Sequence, residues 1–129
     1  MSHIGTYKCS LLSFNTELMK EAIEMAKQEL GGEGLLDRKT VRGYDQTRKA
    51  DLVFRFDGMR FSMGLKQNQE GVTFVGDAWG SEKWHTVQDI IVRDYKAVCA
   101  AVALQKLGYS NIESQHHNDP RGIIMEGSQ

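Results

Sequence analysis

Apolar residues recur at helical spacing in two stretches of the chain. Between residues 18 and 30 they fall on one face, behind Asn15, whose side chain can cap a helix. Gly31 follows this stretch and tolerates the left-handed backbone that ends a helix. A longer apolar stripe covers residues 87–104 and is followed by Gly108. The sequence therefore predicts two amphipathic helices, each with one face for packing.

Alternating apolar and polar residues predict a three-stranded meander in the centre of the chain. An Asp-Gly pair at positions 57 and 58 stands between two alternating runs and is typical of a two-residue type I′ hairpin turn. This turn sets Phe54 opposite Phe61, on the face predicted to join the core. A second turn then pairs Lys66 with Gly71 and adds the third strand.

The same register predicts opposed like charges on the other face of the meander. Arg55 faces Arg60 and Lys49 faces Lys66, and such pairs destabilise an isolated hairpin. Asp77 falls across from Arg60, where an exposed ion pair would contribute only ~0.2–1 kcal/mol. Lys49 and Lys66 have no such partner in this register.

The order of the elements predicts an α+β fold. An alternating run at residues 4–11 predicts a first strand, and residues 118–122 predict the turn of a terminal hairpin. Each helix has one apolar stripe and each strand one apolar face. We therefore expect a mainly antiparallel sheet, made of the meander and the terminal hairpin, with two helices packed on one face. The 129 residues fit a single domain, residues 1–129.

The amino-acid composition argues against several classes of protein. Sixteen Lys and Arg against seventeen Asp and Glu give a net charge of -1, which excludes the global basic field of a dedicated duplex DNA binder. The apolar stretch at residues 98–104 is too short to span a membrane, and no signal peptide follows Met1. Cys9 and Cys99 are therefore expected to be reduced. These features predict a soluble, cytoplasmic protein.

No motif in the sequence predicts catalysis. The four histidines do not have zinc-motif spacing, and the adjacent His116 and His117 would point to opposite faces of a strand. Cys99 lies among alanines, where a cysteine usually packs as a small hydrophobe. We therefore expect no catalytic residue, no metal site and no cofactor.

A basic segment is the clearest candidate for a binding site. Residues 37–49 carry five cations against two carboxylates, a net charge of +3, in a nearly neutral chain. Arginines, lysines and an aromatic residue on a loop can bind phosphate, single-stranded nucleic acid or an acidic protein surface. Alternatively, the loop is solvated and its cations pair with the acidic first helix. The candidate binding residues are Arg38, Lys39, Arg42, Tyr44, Arg48, Lys49, Lys66 and Trp79.

Several short segments resemble one family. They are residues 1–3, 41–44, 46–51 and 77–80, and they resemble the family called hypothetical chloroplast reading frame thirty-five, or domain of unknown function twelve fifty-seven. Its members occur in plastids, cyanobacteria, other bacteria and cyanophages, so the resemblance would also allow a plastid or phage-infected host location. Some bacterial members are encoded beside ATPases of the AAA+ class. The resemblance implies no catalytic residues and favours an adaptor whose partner is such an ATPase.

Two functions follow as hypotheses. The first is a small non-enzymatic interaction or adaptor protein that engages an acidic protein partner. In this hypothesis Arg42, Arg48 and Lys49 supply charge, and Tyr44 and Trp79 supply apolar anchoring. Lys66 and the region of Trp79 and Trp84 extend the binding surface. The alternative is a nucleic-acid or phosphorylated-ligand binding module that uses the same residues. An enzyme would instead need a deep polar pocket beside His85.

Overall fold

A computed structural model of the chain describes residues 4–78 and 81–108. The elements in these ranges are β1 (Gly5–Lys8), α1 (Thr16–Leu30), β2 (Gly34–Leu36), β3 (Thr40–Arg42), β4 (Thr47–Lys49), β5 (Leu52–Arg55), β6 (Met63–Asn68), β7 (Gly71–Gly76) and α2 (Trp84–Lys106). Five strands form one antiparallel sheet in the order β1-β7-β6-β5-β2, and β3 pairs with β4 as a separate two-stranded sheet.

This arrangement confirms the predicted α+β class, with its mainly antiparallel sheet and two helices. The first strand lies within the predicted range, and the three strands of the meander are β5, β6 and β7. The predicted terminal hairpin lies outside the described residues. None of the helices in the described ranges is long and apolar enough to cross a membrane.

The helix ends follow from local sequence signals. The backbone N–H of Leu18 donates to the side chain of Asn15 at 3.1 Å, which satisfies one of the free donors in the first turn of α1. At the other end, Gly31 has a φ of 78° and its N–H donates to the carbonyl of Lys27 at 2.7 Å. Gly108, with a φ of 84°, follows the last turn of α2. Both predicted helices are therefore confirmed.

The main core lies between the helices and one face of the large sheet. Each large apolar side chain buried there contributes about 1.5–3 kcal/mol relative to an exposed one. The strands contribute alternate residues, as a sheet with one covered face requires. This core contains Met19, Ala22, Ile23 and Ala26 of α1, Trp84, Val87, Ile91, Tyr95 and Val98 of α2, and Leu52, Phe54, Met63, Leu65, Val72 and Phe74 of the sheet.

The predicted register of the first hairpin of the meander is wrong by two residues. Phe54 lies opposite Met63 rather than Phe61, although the turn at the Asp-Gly pair is present. Residues 60–62 do not pair with β5 because they form hydrogen bonds with other segments of the chain. The N–H of Arg60 donates to the hydroxyl of Ser81 at 3.3 Å, and the hydroxyl of Ser62 accepts from a backbone N–H of β3. These contacts lengthen the connection between β5 and β6.

The second hairpin of the meander is shifted by two residues as well. Asn68 pairs with Gly71, and Lys66 lies opposite Thr73. The predicted cross-strand alignment of Asp77 with Arg60 is therefore wrong, because β6 begins after Arg60 and β7 ends before Asp77. A shift of two preserves the side-chain alternation, so the predicted core face is correct.

The second face of the sheet is covered in its middle, whereas Thr6 and Lys8 of β1 on the same face are exposed. Arg55 lies opposite Gly34 of β2 and donates to Glu33 at 3.0 Å, so the predicted opposition of Arg55 and Arg60 is wrong. The small hairpin β3–β4 packs on this face, where Val41, Ala50 and Val53 form a second core. The middle of the large sheet thus lies between the helices and this hairpin.

A buried carboxylate lies at the contact between the two helices. Asp94 of α2 has a side chain that is only 6% exposed, and Arg93 donates to it at 3.0 Å. Arg93 also donates to Glu29 of α1 at 3.1 Å, which links the helices. Burial raises the pKa of Asp94, and its bond to Arg93 opposes that rise without cancelling it.

The raised pKa of Asp94 predicts that this carboxylate weakens the fold at neutral pH. Its contribution to stability is fully present below the ordinary carboxyl pKa and is lost as the pH rises through the raised one. We expect Asp94→Asn to raise the free energy of unfolding at neutral pH, and the gain to vanish in acid. Urea unfolding at several pH values measures this.

The exposed Asp89 on the same helix provides the matched control. Asp89→Asn removes the same charge from a solvated position, so we expect little change at any pH. A wild-type protein more stable than Asp94→Asn at neutral pH would contradict the expectation. It would mean that the bond to Arg93 outweighs the cost of burial.

Candidate binding surface

The basic segment folds as a hairpin, and its interpretation as a loop is wrong. Strands β3 and β4 pair with Val41 opposite Arg48. At the tip, the N–H of Gly43 donates to the carbonyl of Gln46 at 2.9 Å, which closes a four-residue turn. Val41 is fully buried against the large sheet, whereas all three residues of β4 are exposed. One apolar side chain therefore fixes a hairpin that is otherwise polar.

The tip of the hairpin is tied to two other parts of the chain. The N–H of Ile4 donates to the side chain of Gln46 at 2.9 Å, and the N–H of Tyr44 donates to buried Asp77 at 3.4 Å. A Cβ on Gly43 would lie 2.9 Å from the side chain of Ile4, so only glycine permits this approach. The side chain of Tyr44 is 68% exposed at the tip.

A basic groove lies where the hairpin meets β6 and the start of α1. We use this name for an open cleft of about 740 Å³. Three cationic residues line it: Lys39, Lys49 and Lys66. The predicted direct opposition of Lys49 and Lys66 is wrong, since Lys49 pairs with Thr40, yet both line this groove. Its full lining is Thr16, Lys39, Thr40, Lys49, Ala50, Asp51, Lys66 and Gln67.

Hydrogen bonds fix one wall of the basic groove. The ammonium group of Lys39 donates to the backbone carbonyl of Asp51 at 2.7 Å, and the carboxylate of Asp51 accepts from the N–H of Gln67 at 2.7 Å. The side chain of Gln67 in turn accepts from the N–H of Phe14 at 3.0 Å. Because Asp51 is held by these bonds, it orders the wall of the groove.

A smaller cleft of about 200 Å³ adjoins the basic groove through Lys39, which lines both. Arg38 and Asp37 also line it, together with Lys20 of α1. Lys20 was not predicted as a site residue because its spacing is that of an ordinary solvated helix face. No signal in the sequence could have placed it here, since the cleft exists only when β2 packs beside α1.

The cations of the basic segment are not neutralised by the acidic first helix, α1. Within 4 Å, the described ion pairs of the acidic helical region join Glu17 to Lys20, Glu29 to Arg93 and Glu33 to Arg55. In the part of the chain that the structure describes, no ion pair involves residues 38–49. The alternative in which the acidic helix neutralises the basic segment is therefore not supported.

The structure brings some of the predicted site residues together and separates others. Lys39, Lys49 and Lys66 line the basic groove, and Arg38 lines the adjoining cleft. Arg42, Tyr44 and Arg48 are exposed along the hairpin itself. We call these seven residues the basic surface. The eighth candidate, Trp79, lies outside the described residues.

The side chain of Trp84 does not extend the binding surface, contrary to the prediction. Trp84 is only 2% exposed, because its ring packs in the main core with the ring centroid 5.1 Å from that of Tyr7. The side chain is thus unavailable to a partner. Its burial results from tertiary packing, which the sequence pattern around Trp84 does not indicate.

The other candidate chemical groups do not assemble a site. Burial is the main influence on the pKa of the Cys9 thiol and raises it, while a backbone hydrogen bond and nearby Lys96 oppose the rise. Cys9 is therefore a poor nucleophile at neutral pH. His85 is exposed, and no three potential metal ligands converge among residues 4–78 and 81–108. His116 and His117 lie outside these ranges.

Comparison with known proteins gives no relative from which a function could be transferred. No protein-family model, curated protein or solved structure matches the chain. The resemblance to the chloroplast reading frame family therefore stays a prediction. The functional argument rests on the basic surface alone.

Proposed function

We propose that this chain is a small interaction protein that engages an acidic surface of a protein partner through its basic surface. The observation that carries the proposal is that five of the six cations of the basic surface have no partner within the described residues, Lys39 being the exception. Within the described residues, the side chains of Arg38, Arg42, Arg48, Lys49 and Lys66 make no ion pair or hydrogen bond. Exposed cations held on ordered strands can steer and orient an acidic partner.

Two features favour a protein over a single-stranded nucleic acid. Binding modules for single strands combine cations with aromatic side chains on which bases stack. The described lining of the basic groove contains no aromatic residue. Tyr44 stands at the hairpin tip, where an aromatic ring beside cations is typical of a protein interface.

A phosphorylated ligand is the second candidate, and the composition of the groove supports it. Lys39, Lys49 and Lys66 line the groove together with the hydroxyl-bearing Thr16 and Thr40. Lysine ammonium groups, hydroxyls and a helix N-terminus are the usual ligands of phosphate in proteins. Such a ligand would use the groove without requiring the hairpin tip.

Removing two cations of β4 tests the proposal. We expect Arg48→Ala combined with Lys49→Ala to abolish partner capture and to leave the melting temperature nearly unchanged. Both side chains are exposed, and exposed charges rarely change stability by more than about 0.5 kcal/mol. Capture is measured with the tagged protein in extracts of its native host, with and without nuclease, and melting by circular dichroism.

The matched control removes two cations from a different surface. Lys96→Ala combined with Lys106→Ala lowers the charge by the same amount at exposed positions of α2, and we expect it to retain capture. Loss of the partner after nuclease treatment would show that nucleic acid carries the contact. A large loss of stability in the β4 variant would instead show that these cations hold the fold.

A further inference from the structure

The backbone of β4 has one side that faces away from its partner strand. The N–H of Ala50 donates to the carbonyl of Lys39 at 2.9 Å, so these two residues form a hydrogen-bonded pair. In an antiparallel ladder such pairs alternate with pairs whose backbone groups point outward. Two residues further along, Val41 and Arg48 form the next hydrogen-bonded pair. The backbone groups of Thr47 and Lys49 therefore point away from β3.

The far edge of β3 is occupied, whereas that of β4 is not. On the β3 side, the N–H of Arg42 donates to the hydroxyl of Ser62 at 3.3 Å, and the strand packs across β6 and β7. On the β4 side, no hydrogen bond to the outward groups of Thr47 or Lys49 is formed within residues 4–78 and 81–108. An unpaired strand edge is a template for a further strand.

The charge on this edge decides what kind of strand fits it. Arg48 and Lys49 project from opposite faces of β4, and Arg42 lies across from Thr47 on the face of Lys49. A second copy of the chain would place cations against cations, and directly opposed like charges destabilise strand pairing. In contrast, a strand with carboxylates on both faces would place them next to Arg48 on one face and Lys49 on the other. Lys49 also lines the basic groove, which continues from the end of this edge.

We infer that β4 binds an extended acidic segment of a protein partner by strand addition. The backbone of the segment pairs with the outward groups of Thr47 and Lys49, and its carboxylates lie against Arg48 and Lys49. Backbone hydrogen bonds supply affinity in this mode, and charge selects the sequence. The inference rests on the proposed function and specifies how the basic surface recognises its partner.

The first test compares two short capped peptides with the same charge. One, the Glu-Thr peptide, repeats Glu-Glu-Thr-Thr and as a strand presents carboxylates on both faces. The other has Pro in place of every Thr and lacks one of every two backbone donors on either edge. We expect the Glu-Thr peptide to bind the full chain about tenfold more tightly, the ratio expected from one lost hydrogen bond. Calorimetric titration measures this ratio. Equal binding of both peptides, or binding of neither, would overturn the inference.

Amide hydrogen exchange provides a readout that charge alone does not change. In the free protein, the Arg48 amide is protected by β3, while those of Thr47 and Lys49 face outward. On addition of the Glu-Thr peptide, we expect exchange at Thr47 and Lys49 to slow by about tenfold. Unchanged exchange at both amides under saturating peptide would show that the peptide docks by its side chains only.

A proline variant tests the outward donor in the protein itself. Thr47→Pro removes an N–H that makes no bond within the described residues, and it leaves every charge in place. We expect binding of the Glu-Thr peptide to weaken about tenfold, while Thr47→Val, which keeps the N–H, binds as the wild type does. Circular dichroism melting checks the fold, and if the proline variant is unfolded, the exchange result decides.

The outcomes separate this inference from the proposed function. If Arg48→Ala with Lys49→Ala abolishes capture but Thr47→Pro, in a folded protein, does not change peptide binding, then strand addition is wrong and the basic surface remains the site. If the double alanine variant retains capture, both the proposed function and the strand addition that depends on it are wrong.

Discussion

Gly64→Val is expected to separate the hairpin β3–β4 from the large sheet and to destabilise the fold. A Cβ at this position would lie 2.5 Å from the side chain of Val41 and 2.7 Å from that of Ala50, closer than packed atoms allow. Gly64 is in the middle of β6 without a left-handed φ, so the obstacle is space rather than backbone conformation. We expect a loss of about 3 kcal/mol in the free energy of unfolding.

The measurement is urea unfolding of a graded set of variants. Gly64→Ala should cost less than Gly64→Val, and adding Val41→Ala to the valine variant should recover part of the loss by removing the nearest atom. Gly5→Ala is the matched control in β1, because its nearest neighbour is the movable ring end of Tyr7 at 3.2 Å. Wild-type stability in Gly64→Val would mean that the hairpin does not pack as described.

Trp84→Ala should also be strongly destabilising. The ring is 2% exposed, lies against Tyr7 with 5.1 Å between centroids, and fills the space that a side chain at Gly76 would need. A Cβ on Gly76 would be 2.7 Å from this ring. Removing a buried tryptophan leaves a large cavity where α2 meets β7, so we expect a loss of about 3–5 kcal/mol.

Trp84→Phe is the control that separates packing from hydrogen bonding. The indole nitrogen of Trp84 is buried and has no hydrogen-bond partner in the described part of the chain. Phenylalanine therefore loses ring volume but no hydrogen bond, and we expect a clearly smaller loss than for alanine. Both variants are compared by urea unfolding followed by circular dichroism. If both variants lost the same free energy of unfolding, ring packing could not account for the loss. The indole N–H would then make a stabilising hydrogen bond.

The helices were predictable because their signals are local. Asn15 and Gly31 specify the two ends of α1 through bonds within one turn of the chain. The strand register was not predictable in the same way, since Ser62 and Ser81 hold the connection between β5 and β6 through contacts with distant segments. The core face was nevertheless correct, because a shift of two residues returns every side chain to the same side.

The hairpin of the basic segment was missed for a different reason. Its strands have three residues each, and Val41 is the single buried residue in them, so no alternation is visible. Its stability comes from packing on Val53 and from the space left by Gly64, both distant in sequence. The charge of the segment was predicted, whereas its ordered edge and the groove beside Lys66 depend on this packing.

The anchored hairpin tip determines what partner binding costs in entropy. Gln46 holds Ile4, and Asp77 holds Tyr44, so the hairpin is fixed at its tip as well as at its base. A free loop must lose conformational freedom when it binds, and that loss lowers affinity. Here the strand edge is ordered before the partner arrives. In the proposed strand addition the cost of ordering would therefore fall on the partner's segment alone, and we expect a partner that already presents a rigid acidic strand to bind most tightly.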